Sequence, residues 1–342
     1  MDKRIGLQTV KLEHSPKIMA TTSIVGPKEG NGPLSEYFDI ILKDDKNGMD
    51  SYEQAESSLM YHAIKETIRK AKLEEKDINY LFAGDLLNQL TSSSFVAREL
   101  DIPFVGLYGA CSTMAESLSM ASMIVDGGFA KYAIATTSSH FSAAERQFRF
   151  PLEFGSQRSE TSQWTVTGSG SMLIGLKGNF PEITYITTGK VKDYGIKDAN
   201  NMGAAMAPAA VDTIYRHFED TGFKPSDYDL IATGDLGRVG RELTEKLLLE
   251  YGYDIKGVYM DCGEEIFDNQ VQKTSSGGSG CGCSAVVSCG YIYKNMIQGK
   301  FKRVLLVSTG ALMSPTSSFQ GETIPGIAHG ITIEYNLGGE KK

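Results

Sequence analysis

Residues 103–128 read PFVGLYGACSTMAESLSMASMIVDGG, and this stretch is the strongest indicator of the fold. An apolar strand is predicted from Pro103 to Tyr108, and the Gly-Ala pair after it permits a sharp turn. The sequence from Thr113 to Glu116 fits a capping box, which marks a helix start. The helix that follows is rich in Ala, Ser and Met and has few long polar side chains. We therefore predict a central, buried helix.

Cys111 lies at the start of this helix, which allows two interpretations. The partial positive charge of a helix N-terminus stabilises a thiolate, so the position favours a lowered thiol pKa and a role as nucleophile. The alternative is a small buried apolar residue, which free cysteines often are. The local pattern leaves both interpretations open.

An internal repeat extends outward from this stretch. Residues 72–87 read KLEEKDINYLFAGDLL and residues 222–237 read GFKPSDYDLIATGDLG. Each segment follows a helix-like stretch and runs through an apolar strand to a Gly-Asp pair, namely Gly84-Asp85 and Gly234-Asp235. Further along, residues 119–139 and 288–310 share the order helix, glycine, basic residue and apolar strand. The pattern predicts an α/β protein of two duplicated halves, at residues 1–178 and 179–342.

Composition excludes several classes of protein. The formal net charge of −8 does not favour a non-specific nucleic-acid binder, which needs a basic surface. No apolar run reaches the ~20 residues needed to cross a bilayer, so we expect a soluble, cytoplasmic protein. The five cysteines are an odd number, and we expect no signal peptide. Reduced thiols are therefore expected rather than a disulfide framework.

The motifs resemble those of the thiolase superfamily, which comprises thiolases and ketoacyl synthases. The resemblance rests on the duplicated halves and the turn at Cys111. It also rests on the glycine-rich strand TGSGSMLIG at residues 167–175 and the loop SSGGSGCGCSAVVSC at residues 275–289. The resemblance implies a layered α-β-α-β-α sandwich, a homodimer and no cofactor.

The whole chain is similar to a sporulation branch of this superfamily. That resemblance implies binding of dipicolinic acid, free or as its calcium chelate, during its uptake into developing spores. It also implies membrane subunits of the uptake system as partners, which would hold the protein peripherally at the spore inner membrane.

The condensing chemistry of the superfamily needs a histidine beside the cysteine, and the loop position for it falls near Gly277. Glycine cannot act as acid or base, and no histidine lies between His217 and His329. We therefore expect no catalytic residues and no metal site, with Cys111 as the equivalent of the nucleophile in a pocket that persists for ligand binding. The predicted ligand-binding residues are Cys111, Ser112, His140, Arg149, Ser275, Gly277, Gly278 and Thr309.

Two rival functions remain. One is an active acyl-thioester condensing enzyme or acyltransferase that uses Cys111 with His140 or His329. The other is a structural scaffold with a vestigial pocket. Within the binding interpretation, Arg146, Arg149 and Arg158 are candidates to pair with ligand carboxylates, because guanidinium groups match carboxylates geometrically.

Overall fold

The computed structural model describes residues 3–148 and 158–336. Its strands are β1 (Thr9–Lys11), β2 (Lys17–Val25), β3 (Ile40–Ile41), β4 (Tyr80–Gly84), β5 (Phe104–Gly106), β6 (Ala133–Ser139), β7 (Trp164–Thr165), β8 (Gly168–Gly175), β9 (Glu182–Thr187), β10 (Leu230–Thr233), β11 (Tyr259–Asp261), β12 (Gly278–Ser279), β13 (Arg303–Ala311) and β14 (Gly326–Glu334). Its α-helices are α1 (Pro27–Gly30), α2 (Tyr52–Lys70), α3 (Thr91–Glu99), α4 (Thr113–Asp126), α5 (Phe141–Phe148), α6 (Met202–Thr221), α7 (Gly237–Glu250), α8 (Cys262–Glu265), α9 (Cys281–Val287), α10 (Tyr293–Ile297) and α11 (Pro315–Phe319).

Most strands form one sheet in the order β11-β10-β13-β14-β9-β2-β8-β6-β4-β5. From β2 outward the pairings with β8, β6, β4 and β5 are antiparallel, antiparallel, parallel and parallel. From β9 outward the pairings with β14, β13, β10 and β11 follow the same sequence. The two sides of the sheet therefore repeat one topology, and they meet where Lys17 pairs with Glu182. The exact boundary between residues 178 and 179 stays a prediction.

Helices cover the sheet in layers. Helix α2 packs on β2, β6 and β8, and α6 packs on β13 and β14. Helix α4 contacts β4, β6 and β8 as well as β13 and β14, and α9 lies beside it. The pair α4 and α9 is therefore the central layer, as the composition of α4 predicts. The architecture is the layered α/β sandwich expected from the sequence.

The start of α4 differs from the predicted capping box. The helix begins at Thr113 after Ser112, which makes no side-chain cap. The Thr113 hydroxyl instead donates to the Ala110 carbonyl oxygen at 2.7 Å. Within the described residues, Oε2 of Glu116 has no hydrogen-bond partner. The box was a wrong prediction because the threonine side chain turns back to support the turn at Cys111 rather than the helix.

Within the described ranges, every helix is too short or too polar to cross a lipid bilayer.

Candidate functional site

The turn that presents Cys111 is tight and strained. Ala110 has a φ of +50°, in the left-handed region that non-glycine residues rarely adopt. The backbone N–H of Ser112 donates to the Gly109 carbonyl oxygen at 3.0 Å, which closes the turn. Strand β13 packs directly against it at Gly310, where an added Cβ would lie 2.3 Å from the Gly109 oxygen and 3.2 Å from the Cys111 nitrogen. Only glycine permits this close approach.

Cys111 lines a small, largely apolar cavity of about 50 Å³. That volume suits one or two water molecules, each of which occupies about 30 Å³ in the liquid. Its polar side chains come from Glu145, Thr165 and Ser279. The complete lining is Leu86, Tyr108, Ala110, Cys111, Ala144, Glu145, Phe148, Thr165, Met202, Ser279, Ala311 and Met313.

Asp235, from the other half of the chain, is the charged group that faces Cys111. Its carboxylate lies just after the end of β10 and interacts electrostatically with the Cys111 thiol. It accepts hydrogen bonds from the Thr309 hydroxyl at 2.8 Å, the Ser279 hydroxyl at 3.1 Å and the Gly280 N–H at 2.9 Å. Three donors from two separate segments therefore fix this carboxylate in a fully buried position.

Burial raises the pKa of the Asp235 carboxyl to about 6, although its hydrogen-bond donors favour the ionised form. Burial also raises the pKa of the Cys111 thiol well above its ordinary value, and the negative charge of Asp235 raises it further. Of the two interpretations left open by the sequence, this direction favours the small buried residue over the activated nucleophile, because desolvation and a neighbouring anion outweigh the helix dipole. The site therefore holds a neutral thiol beside a carboxylate.

The histidines lie elsewhere. Nε2 of His140 bonds the Asp45 carbonyl oxygen at 2.7 Å, and its Nδ1 accepts from the Ser142 N–H at 3.2 Å. Nδ1 of His329 accepts from the Gly189 N–H, and both ring nitrogens of His217 are bonded to hydroxyl groups. Burial lowers the pKa of all three rings, to about 4 for His329 and to about 3 for His217. Among the described residues, no histidine lines the cavity at Cys111.

The other predicted ligand residues are distributed as follows. Thr309 positions Asp235, as described above. The Ser112 hydroxyl is buried and donates to the Gly109 oxygen at 2.7 Å. The Gly278 carbonyl oxygen accepts from the Gln163 side chain at 2.8 Å. Ser275 and Gly277 are left-handed turn residues outside the cavity lining. Arg149 lies outside the described residues.

The two remaining arginines of the predicted basic patch have partners. Arg146 pairs with Glu53 at 2.5 Å near the surface. Arg158 pairs with Glu145 at 3.2 Å and donates to the Gln163 carbonyl oxygen at 2.7 Å. Arg158 therefore reaches the cavity only through Glu145, whose charge it balances.

Sequence reasoning missed Asp235 as a site residue, although the signal was present. The Gly-Asp pair repeats in both halves, and a carboxylate at the end of a buried strand is costly unless it is bonded. Leu86 and Met313 were also missed, because they reach the cavity from loops with no distinctive motif. Ser279 was missed although it lies on β12, within the glycine-rich stretch at residues 275–289. Among the described residues, no group of three or more histidine, cysteine or acidic side chains could hold a metal ion.

Comparison with protein families gives one extensive match. The profile of the stage V sporulation protein AD family matches residues 6–334. Stage V sporulation protein AD of Bacillus subtilis (strain 168) is 48% identical over 332 residues, which is 97% of this chain and 98% of that protein.

Solved structures with the same fold are far more distant in sequence. A histidine-to-aspartate variant of Xanthomonas campestris OleA gives a TM-score of 0.62 at 13% identity and covers 95% of this chain and 99% of that one. The 3-oxoacyl-[acyl-carrier-protein] synthase III of Aquifex aeolicus gives 0.56 at 12% identity, over 94% of this chain and 100% of that one. These structures identify the fold as thiolase-like.

Proposed function

The chain belongs to the stage V sporulation protein AD family, and on that premise we propose that it binds dipicolinic acid, free or as the calcium chelate, without catalysing carbon–carbon bond formation. The observation that carries the proposal is that Cys111 faces the anionic carboxylate of Asp235, which raises the pKa of the thiol, and that none of the described histidines lines its cavity. The choice of ligand is inferred from family membership, whereas the argument against condensation comes from the site.

The first step of that argument concerns the thiol. Formation of an acyl-enzyme needs a thiolate, because the neutral thiol is a poor nucleophile. Burial and the Asp235 charge both raise the pKa of the Cys111 thiol, so the thiolate is scarce at neutral pH. An imidazole beside the sulfur would relieve this by accepting the proton, but His140, His217 and His329 are bonded elsewhere.

The second step concerns the charge of the ligand. Above a pH of about 6, Asp235 is ionised and would repel a free dicarboxylate. Asp235 lies behind Cys111 and Ser279 rather than in the cavity lining, and Glu145, which does line the cavity, is balanced by Arg158 at 3.2 Å. One uncompensated negative charge therefore favours the calcium chelate, whose net charge is zero, over the free dianion at neutral pH. Calcium in this proposal belongs to the ligand and not to the protein.

The test is calorimetric titration of the protein with dipicolinate at neutral pH, with and without equimolar calcium. Saturable binding that is weakened in Cys111→Ala and retained in Cys289→Ala, a buried thiol outside the cavity, is expected. Absence of binding heat at millimolar ligand in both conditions would rule the proposal out.

Incubation with acyl-coenzyme A, followed by mass spectrometry, tests the rival function as an acyl-thioester enzyme. Turnover through an adduct on Cys111 would establish that rival instead.

We extend the proposal to a homodimer that pairs through β5. This strand is at the edge of the sheet, its Val105 side chain is 36% exposed, and Phe95 of α3 is exposed as well. At the opposite edge, Met260 and Asp261 of β11 are buried. A second copy would cover the exposed β5 edge, which otherwise invites non-specific pairing. Val105→Lys is expected to give a monomer by light scattering, whereas Val271→Lys, a change at another exposed valine, should leave a dimer.

The cellular part of the proposal follows from family membership. The protein would act from the cytoplasmic side in dipicolinate uptake into developing spores, held at the spore inner membrane by membrane subunits of the uptake system. Sedimentation with spore membranes that is lost when those subunits are deleted is the expected result. Sedimentation that persists without them would contradict it.

A further inference from the structure

Two cavities lie side by side at the Cys111 site. The inner cavity, of about 50 Å³, contains Cys111. The outer cavity, of about 520 Å³, opens to solvent and does not include Cys111 in its lining. Both cavities are lined by the same three residues, Leu86, Tyr108 and Met313. These three side chains therefore form the partition between the two cavities.

The inner cavity is too small for the proposed ligand. Sites for organic ligands usually measure about 300–1,000 Å³, and a pyridine ring with two carboxylates cannot fit where one or two waters do. The outer cavity alone would suffice in volume, but a ligand there would be separated from Cys111, Ser279 and Asp235. A ligand in the outer cavity contacts the thiol only if the two cavities merge.

The backbone around the partition is held in place. The Leu87 N–H donates to the Asp85 carboxylate at 2.9 Å, next to Leu86. The Met313 N–H donates to the Ala311 carbonyl oxygen at 3.0 Å, and the Leu312 N–H donates to the Pro325 oxygen at 2.8 Å. Opening of the partition by a backbone shift would break these bonds, whereas rotation of side chains would not.

The side chains of the partition are suited to rotation. Methionine is unbranched and adapts its shape at low cost, which makes Met313 the most adaptable member. Tyr108 is 44% exposed, so its ring can rotate further into solvent at a small cost in buried area. Exposed side chains change rotamer within nanoseconds or less. Leu86 is buried in the apolar cluster with Ala110 and Cys111 and forms the fixed side of the partition.

We infer that Tyr108 and Met313 form a side-chain gate, closed in this structure, that rotates away from Leu86 to admit a planar aromatic carboxylate from the outer cavity to Cys111. The part of this inference that concerns the ligand rests on the proposed function, but the gate itself concerns access to the thiol. The gate controls how fast a molecule reaches Cys111 and how wide that molecule can be.

The test measures alkylation of Cys111 by a small reagent, iodoacetamide, and by a bulky fluorescein maleimide, with peptide mapping by mass spectrometry. In Met313→Ala and in Tyr108→Ala, the alkylation rate with the maleimide, divided by the rate with iodoacetamide, should rise roughly tenfold. A tenfold rise corresponds to a barrier lower by about 1.4 kcal/mol. Met49→Ala removes the same side chain from a separate groove on α2 and α3 and should leave the ratio unchanged. Leu86→Trp should slow both reagents.

The outcomes separate the gate from the ligand. An unchanged rate ratio in both Met313→Ala and Tyr108→Ala would overturn the gate whether or not dipicolinate binds. A raised ratio supports the gate, and a parallel increase in the association rate of dipicolinate extends it to the proposed ligand. A raised ratio together with no dipicolinate binding in any variant would retain the gate and reject the proposed ligand.

Discussion

The two halves of the molecule share a topology but differ in the residue that each packs against the start of a central helix. Ser139 ends β6, and its hydroxyl accepts from the Gly282 N–H at 3.0 Å and donates to the Val166 oxygen at 2.7 Å, which closes off the start of α9. The repeat places Gly310 of β13 at the corresponding position, against the turn at Cys111. One half therefore packs a hydroxyl where the other packs bare backbone.

The paired aspartates differ in the same sense. Asp85 accepts from the N–H groups of Leu87 and Ser93 and from the Ser93 hydroxyl, all close by in the chain. Asp235 is bonded by Thr309, Ser279 and Gly280 and reaches the thiol of the other half. The duplication thus produced one structural aspartate and one that defines a site. The cysteines at the two helix starts differ in the same way. Cys111 lines a cavity, whereas Cys281 is fully buried and donates its thiol to the Ser138 oxygen.

The strongest way to break the comparison is to give the second half the residue of the first. Gly310→Ser adds a side chain whose Cβ would lie 2.3 Å from the Gly109 oxygen. The turn must move away, so we expect loss of dipicolinate binding and a destabilisation of about 3 kcal/mol, at the upper end of typical overpacking. Titration calorimetry and urea unfolding measure the two effects. Wild-type affinity in a folded Gly310→Ser protein would show that close packing of the turn is not needed.

A second test removes the charge of each of the two paired aspartates in turn. Asp235→Asn removes the anion that raises the pKa of the Cys111 thiol, so the thiolate fraction should rise by roughly tenfold for each unit the pKa falls. Iodoacetamide should then alkylate Cys111 faster at constant pH. Asp85→Asn should cost about 1–3 kcal/mol of stability through its orphaned donors and leave alkylation unchanged. Equal alkylation in both variants would remove the distinction between the two aspartates.

The pH dependence of ligand affinity sharpens the role of Asp235. Its folded-state pKa of about 6 means that its charge is present above pH 6 and lost below it. Affinity for the free dianion should therefore rise as pH falls from 8 through 6, by at most about tenfold per pH unit for one coupled proton. Cys111 and Tyr108 stay neutral over this range, since burial raises both pKa values, that of Tyr108 to about 12.

The calcium chelate provides the matched comparison in that experiment. Its net charge is zero, so its affinity should change little over the same range, and Asp235→Asn should flatten the profile of the free dianion. A steep profile that survives Asp235→Asn would assign the titration to another group.

The sequence was sufficient for most of the fold. Uninterrupted apolar strands and the repeated Gly-Asp pairs predict two α/β halves, because local periodicity and glycine positions determine those elements. The thiolase-like resemblance was confirmed by the solved structures. The structure also places the helix after Cys111 in the central layer, as its small side chains indicated.

The site was less predictable because its contacts join distant segments. Periodicity carries no information about which side chain of the second half meets Cys111, so Asp235 was missed. The sequence could not decide between the two interpretations of Cys111, because the helix dipole is a local effect, whereas burial and the Asp235 charge, which raise the thiol pKa, depend on the assembled fold. His140 does follow its strand as predicted, but its ring is hydrogen-bonded to the Asp45 carbonyl oxygen.

The smallest expected effect on the Cys111 site comes from the reverse exchange, Ser139→Gly. This change removes a hydroxyl that accepts from the Gly282 N–H and donates to the Val166 oxygen, so we expect a loss of about 2 kcal/mol in the free energy of unfolding, the typical net value of two hydrogen bonds. Urea unfolding measures it, with the Cys111→Ala protein as a reference for a small buried truncation. Cys281 should stay unalkylated, because its thiol still donates to the Ser138 oxygen and no gap reaches it from solvent. Alkylation of Cys281 in Ser139→Gly would mean that a single hydroxyl is what keeps this thiol, which packs in one apolar cluster with Cys111, from being reached. The two halves would then differ by less than the paired aspartates suggest.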